Sequence, residues 1–171
     1  LKSLLKELVD IYSPSGKEEE ILEFTEDYLK KHGLPVTRQE VDENRFNLLV
    51  FPEKSNGLDV CFVGHLDTVA ALDIEDYGFY DEGNMAYGLG ACDMKSGCAA
   101  MIEAFTVMSE RKTARPHVGL ALVVGEEQES DGAKTLMREH TFPWAIVGEP
   151  TNLIPCLGHY GYLEVFLRTR G

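Results

Sequence analysis

Four short polar clusters hold the residue types capable of chemistry: Gly64-His65-Leu66-Asp67, Cys92-Asp93-Met94-Lys95, Gly125-Glu126-Glu127 and Gly148-Glu149-Pro150. The first, third and fourth each follow an apolar run that reads as a buried strand. Imidazole and carboxylate groups delivered from several strand ends can converge as ligands of divalent cations. Polar groups scattered through apolar segments without partners would instead carry desolvation costs.

His65 closes the run Val60-Cys61-Phe62-Val63-Gly64, and Asp67, two residues on, can orient its ring. Taken singly, the pair equally fits a hydrogen-bonded strand-end histidine. Asp93 follows Gly88 and Gly90 at a loop-to-helix junction, where it suits a carboxylate bridging two cations or a cap on a helix starting at Met94. A dinucleotide-binding reading of Gly88-Leu89-Gly90 fails because Asp93 stands at the third glycine position. Glu126 and Glu127 put two like charges at a strand end, costly without a cation. If one coordinates, the other is free to act as a general base; an exposed acidic loop with Glu129 and Asp131 is the rival reading. Pro150 holds Glu149 extended at the end of a further strand. One histidine with three carboxylates is a hard ligand set that suits zinc, manganese or cobalt.

The elements that must position these groups follow from hydrophobic spacing. Leu4, Leu5, Leu8 and Ile11 predict a helix, Ser13-Pro14-Ser15-Gly16 breaks it, and Ile21, Leu22, Phe24, Tyr28 and Leu29 predict a second helix ending at Gly33. Residues 46–51 and 60–63 predict strands, as a hairpin or neighbouring pair across the turn-forming residues 52–57. A helix over 94–110 has small residues Ser96, Gly97, Ala99 and Ala100 at its start, allowing close packing on a sheet. Residues 118–124 predict an apolar strand, a helix begins near Ser130 or Asp131, and 145–147 predict a short buried strand. Residues 160–168 alternate as a half-exposed strand. The succession of strands and helices is an α/β pattern.

At 171 residues with 44% hydrophobic and 26% charged composition, the chain suits one soluble domain. A net charge of -13 argues against nucleic acid and anionic membrane partners. No apolar run reaches the roughly 18 residues of a membrane span, and no signal-peptide core is evident, so a cytoplasmic location is expected. Cys61, Cys92, Cys98 and Cys156 show no paired spacing and read as buried free thiols.

The segments 64–69, 87–97, 125–127 and 147–151, in that order, resemble the M20 family of metallopeptidases and deacylases, over nearly the whole chain. The resemblance implies a three-layer α/β/α catalytic domain with a mixed, largely parallel central sheet. It also implies residues 1–161 as the N-terminal part of that domain and 162–171 as a strand leading toward a lid domain absent from this chain. His65 and Glu149 would hold one metal and Glu127 the other, with Asp93 bridging, Glu126 the general base and Asp67 orienting His65. The peptide after Asp93 would be cis. A final histidine ligand would lie beyond Gly171.

Two divalent ions are thereby implied, zinc foremost, with cobalt or manganese as alternatives. Relatives of this kind hydrolyse amides of N-acyl amino acids or short peptides, and a homodimer is expected where the lid domain is present. Leu89 and Thr68 are similar to the acetylornithine deacetylase and succinyl-diaminopimelate desuccinylase group, whereas Ala70 and Gly125 depart from the family pattern. Among the other histidines, His159 near the domain junction is a candidate contact for a substrate carboxylate; His32, His117 and His140 read as structural or exposed.

Overall fold

Leu4, Leu8 and Val9 form the buried stripe of the first helix, α1 (Lys2–Asp10). Helix α2 (Glu19–Lys31) buries Ile21, Leu22 and Leu29, with acidic residues in its first turn and Lys30 and Lys31 in its last, both favourable to the helix dipole. The computed structural model describes residues 1–52, 57–71, 77–111, 117–158, 161 and 165–170.

Five strands form the main sheet: β1 (Val36–Glu40), β2 (Phe46–Val50), β3 (Val60–His65), a two-stranded sheet of β4 (Tyr80–Glu82) and β5 (Met85–Tyr87) standing apart, then β6 (Val118–Val123) and β7 (Trp144–Val147). The order across the main sheet is β1-β2-β6-β3-β7. Pairings β1–β2 and β2–β6 are antiparallel, and β6–β3 and β3–β7 are parallel. Strands β2 and β3 are therefore not the neighbours expected from sequence. The almost wholly apolar β6 takes the place between them, where both of its faces are covered.

The alternation of β2 and β6 assigns the two faces. Leu48, Val50, Leu120 and Leu122 pack in one core with α1, α2 and α3 (Ser96–Glu110). Leu49, Ala121 and Val123 pack in a second with Leu136 of α4 (Asp131–Glu139). The result is the expected three-layer α/β/α arrangement with a mixed sheet, its parallel pairs lying on the side of β3. Strand β7 differs from its reading as buried: it pairs with β3 at the sheet edge, and all four residues are exposed, Trp144 at 72%. Residues 161 and 165–168, the described part of the strand expected over 160–168, form no strand. A strand needs a partner ladder, and none is paired to them among the described residues.

Two smaller expectations also change. Cys92 and Cys156 are exposed, and only Cys61 and Cys98 are buried thiols. The helix expected from Met94 starts at Ser96, preceded by an irregular helical turn over Ala91–Lys95. Lys95 in that turn is 1% exposed, and its ammonium donates to the Leu8 and Ile11 carbonyls at 2.8 and 2.9 Å. Those carbonyls lie at the C-terminal end of α1, where helical partners run out. Lys95→Met keeps the apolar stem but strands both acceptors, so urea unfolding should show a loss of about 2 kcal/mol.

Candidate metal centre

His65 ends β3, and the chain runs from β3 through α3 to β6, then through α4 back across to β7. Because α3 and α4 lie on opposite faces, the C-terminal ends of β3, β6 and β7 are the usual binding position in such sheets. The His65 ring is 2% exposed. Its Nδ1 lies 3.0 Å from the Asp67 backbone carbonyl and 3.5 Å from Asp67 Oδ1. Its Nε2 is buried without a hydrogen-bond partner among the described residues. That atom faces Asp93 Oδ1 at 3.4 Å, Glu149 Oε1 at 3.6 Å and Glu126 Oε2 at 3.7 Å.

Each carboxylate is delivered by a different local device. Asp93 sits in the 91–95 turn, entered through Gly90 at φ 72°, and the Asp93–Met94 peptide is cis, as the resemblance implies. Glu149 follows Gly148, whose N–H continues the β7–β3 ladder onto the Val63 carbonyl at 3.1 Å. A Cβ at Gly97 would come within 2.1 Å of the Gly148 carbonyl oxygen. The small residues that start α3 thus let the helix end lie directly against the strand end bearing Glu149.

Glu126 and Glu127 occupy the turn between β6 and α4, which is fastened by buried and half-buried polar groups. Asp67 Oδ1 accepts the Glu126 N–H and Oδ2 the Glu127 N–H, both at 3.1 Å. Asn47 Oδ1 accepts the Val124 N–H, and its amide donates to the Gly132 carbonyl at 2.9 Å. Arg45 bonds Asp131 at 2.8 Å, and its guanidinium would lie 2.8 Å from a Cβ at Gly125, a residue at φ 67°. Glycine there, a departure from the family pattern, leaves room for Arg45. Sequence reasoning missed Ser15, Asn47 and Arg45; polar residues in or beside apolar strands, such as Asn47 within β2, were the available signal.

The carboxylate of Asp67 is thus tied to more than the His65 ring. It accepts from the Ser15 hydroxyl at 2.6 Å and from two backbone N–H groups, and the nearest partner of His65 Nδ1 is its carbonyl rather than its carboxylate. Burial would raise the Asp67 carboxyl, but His65, Ser15 and the Glu127 N–H together hold it below the usual range. Of the expected ligands, His65, Asp93 and Glu149 have ligand atoms all within 4.8 Å of one another. Glu127 stands outside that trio, with its carboxyl raised by burial and by the charge of Asp93. His159 lies outside the described residues.

These residues fit a divalent cation. Donors held about 2.1 Å from a tetrahedral ion stand about 3.4 Å apart, close to the 3.4–3.7 Å between His65 Nε2 and the three carboxylate oxygens. Direct hydrogen bonds would be shorter. With Nδ1 committed to Asp67, whatever Nε2 carries, proton or cation, sits among negative charges. Burial alone would lower the His65 pKa, but Asp67, Glu126 and Glu149 outweigh it and push it up to about 9. Burial and the neighbouring Asp93 carboxylate push Glu149 up to about 7.

A cation needs both groups deprotonated. Binding at pH 7 should therefore release roughly one to two protons, and affinity should rise with pH as Glu149 and then His65 are freed of their protons near 7 and 9. Zinc titration calorimetry in buffers of differing ionisation enthalpy reads this directly. Heats independent of the buffer would contradict it.

Similarity to known proteins agrees with this geometry. The family pattern described as Peptidase family M20/M25/M40 matches residues 61–158. A peptidase M20 domain-containing protein of Schizosaccharomyces pombe is 37% identical over 94% of this chain and 41% of its own length. A LysW-lysine/LysW-ornithine hydrolase of Sulfurisphaera tokodaii is 32% identical over 100% of the chain and 45% of its own length. The crystal structure of a tripeptidase from Staphylococcus aureus superposes with a TM-score of 0.71 at 25% identity, covering 85% of this chain and 42% of that one. The chain thus spans less than half the length of these relatives. Since the matched region runs from β3 to just beyond β7 and contains all four polar clusters, the chain belongs to peptidase family M20/M25/M40.

Proposed function

We propose that the protein containing this chain is a divalent-metal-dependent hydrolase of amide bonds in N-acyl amino acids or short peptides. The observation that carries the reading is buried His65, whose Nε2 has no hydrogen-bond partner among the described residues and is faced by three carboxylates at 3.4–3.7 Å. His65, Asp93 and Glu149 would hold one ion, and Asp93 and Glu127 a second. Bound zinc, cobalt or manganese supplies Lewis-acid polarisation of the scissile carbonyl and acidifies water.

The chain's own residues do the remainder. Glu126, whose side chain is 44% exposed beside the cluster, takes a proton from the attacking water and passes it to the leaving amine. Asp67 holds the His65 ring and the Glu126 backbone together, and His159 contacts the substrate carboxylate. Residues 1–161 form the N-terminal part of the catalytic unit, and 162–171 lead toward a lid domain, a reading supported by the share of the relatives' length that the chain spans. With the lid domain present the protein is a homodimer, acting in the cytoplasm. No helix among the described residues is long and apolar enough to cross a membrane.

Deacylation is the preferred reaction, supported by Leu89 and Thr68. Peptide cleavage is the second reading, favoured by the structural likeness to a tripeptidase. The test uses protein expressed from its complete coding sequence, loaded with zinc or cobalt, on N-acetylornithine, N-succinyl amino acids and a di- and tripeptide panel. Turnover confined to N-acyl amino acids supports deacylation, and turnover confined to peptides replaces it with the second reading. Absence of stoichiometric metal in that protein would overturn both.

A further inference from the structure

The segment Ser13-Pro14-Ser15-Gly16 accounts for the break between α1 and α2, yet its hydrogen bonds run to the site. Ser13 Oγ donates to the Leu66 carbonyl at 2.9 Å, the Thr68 N–H to the Ser13 carbonyl at 2.9 Å, and the Ser15 N–H to the Thr68 carbonyl at 3.2 Å. Pro14 and Thr68 form a parallel bridge. The segment is thus paired like a one-residue strand alongside the chain leaving β3. Proline is tolerated there because the bonds to Thr68 come from its neighbours, not from its own nitrogen.

We infer that Ser15 is a positioning residue of the metal centre, fixing the Asp67 carboxylate that binds both the His65 ring and the turn bearing Glu126 and Glu127. Asp67 is fully buried. Its donors are the Ser15 hydroxyl at 2.6 Å, the Glu126 and Glu127 N–H groups at 3.1 Å, and the His65 ring nitrogen 3.5 Å from Oδ1. Ser15 supplies the hydroxyl donor of this set, and its backbone is tied to Thr68, the residue after Asp67. The hydroxyl is therefore referenced to the same strand end that carries His65. Without it, Asp67 Oδ2 keeps one N–H donor and the carboxylate can rotate, loosening ring and turn together.

The inference rests on the reading of His65 as a metal ligand, and its test separates the two. In metal-stripped protein from the complete coding sequence, zinc affinity is measured by competition with a chromophoric chelator for wild type, Ser15→Ala, Ser15→Thr, Asp67→Asn and Ser15→Ala/Asp67→Asn. Ser15→Ala should weaken zinc binding by about 10-fold and Asp67→Asn by about 100-fold, as removal of groups that orient a ligand does. Ser15→Thr, which keeps the hydroxyl, should restore binding to within about 2-fold of wild type. In the Asp67→Asn background, Ser15→Ala should add less than about 2-fold, because Ser15 acts through Asp67. Circular dichroism checks that every variant is folded.

Wild type that binds no zinc would overturn the metal-centre reading itself. If wild type binds and Ser15→Ala binds equally well, the role of Ser15 is refuted while the metal centre stands. Full additivity in the double variant, or failure of Ser15→Thr to rescue, would assign Ser15 a general structural role and overturn the inference.

Discussion

Glu126→Gln, in protein from the complete coding sequence, should lower kcat by about 1,000-fold, in the range of general-base removal, while zinc affinity stays within about 5-fold of wild type, since orienting groups cost 10-fold or more. The amide keeps the shape of the side chain, and the Glu126 N–H that Asp67 binds belongs to the backbone, so the turn stays in place. What is lost is an acceptor able to take a proton from water. The distances make the outcome informative. Glu126 Oε2 is 3.7 Å from His65 Nε2, nearly as close as Glu149, yet the mutually close trio is His65, Asp93 and Glu149. Steady-state kinetics with parallel metal analysis decides the matter. Metal loss matching the activity loss would make Glu126 a ligand and leave the base unassigned.

Asp93→Asn should do the reverse, weakening zinc retention by 100-fold or more, beyond the usual 10–100-fold for groups that merely orient ligands. Asp93 is the carboxylate closest to His65 Nε2, and its charge is felt by both Glu149 and Glu127. Removing that charge takes a ligand from both proposed ions. Thermal stability provides a second readout. Zinc at 100 times Kd stabilises a folded protein by about 2.7 kcal/mol, and a 100-fold weaker Kd reduces this to about 0.4 kcal/mol at the same concentration. The metal-stripped variant should meanwhile unfold no earlier than stripped wild type, because one of several repelling carboxylates is gone. Scanning calorimetry with and without zinc checks both. An unchanged zinc-induced rise in Tm would remove Asp93 from the ligand set.

The candidate site was legible in sequence where candidate ligands sit at the ends of strongly apolar strands. β3 and β6 are such strands, and His65 and the Glu126–Glu127 pair follow from them. Strand β1 was missed because Val36-Thr37-Arg38-Gln39-Glu40 is a polar edge strand whose stability comes from pairing with β2 rather than from burial. The β4–β5 hairpin was missed for a similar reason: all six of its residues are exposed. The placing of β6 between β2 and β3 is a long-range choice that local pattern does not encode. The role of Ser15 stayed hidden because a helix-breaking sequence looks the same whether or not its hydroxyl has a distant partner. Asp67 is expected from sequence to orient His65, but its hydrogen bonds to the Glu126 and Glu127 backbone join strands nearly sixty residues apart in sequence.

The pairing of β3 with β6, Val60 opposite Val118 through His65 opposite Val123, also bears on how the site comes into being. Parallel strands are joined only through a long crossover, and such non-local pairing forms late and slowly in folding. Side chains alternate between faces, so a slip of one residue along this ladder would turn the pattern of β6 inside out relative to β3. It would also draw the two N–H groups bound by Asp67 out of alignment with its two oxygens. The Asp67 clasp can close only when the ladder is in its native alignment, so its two hydrogen bonds to the Glu126 and Glu127 N–H groups require that the two halves of the sheet have met correctly.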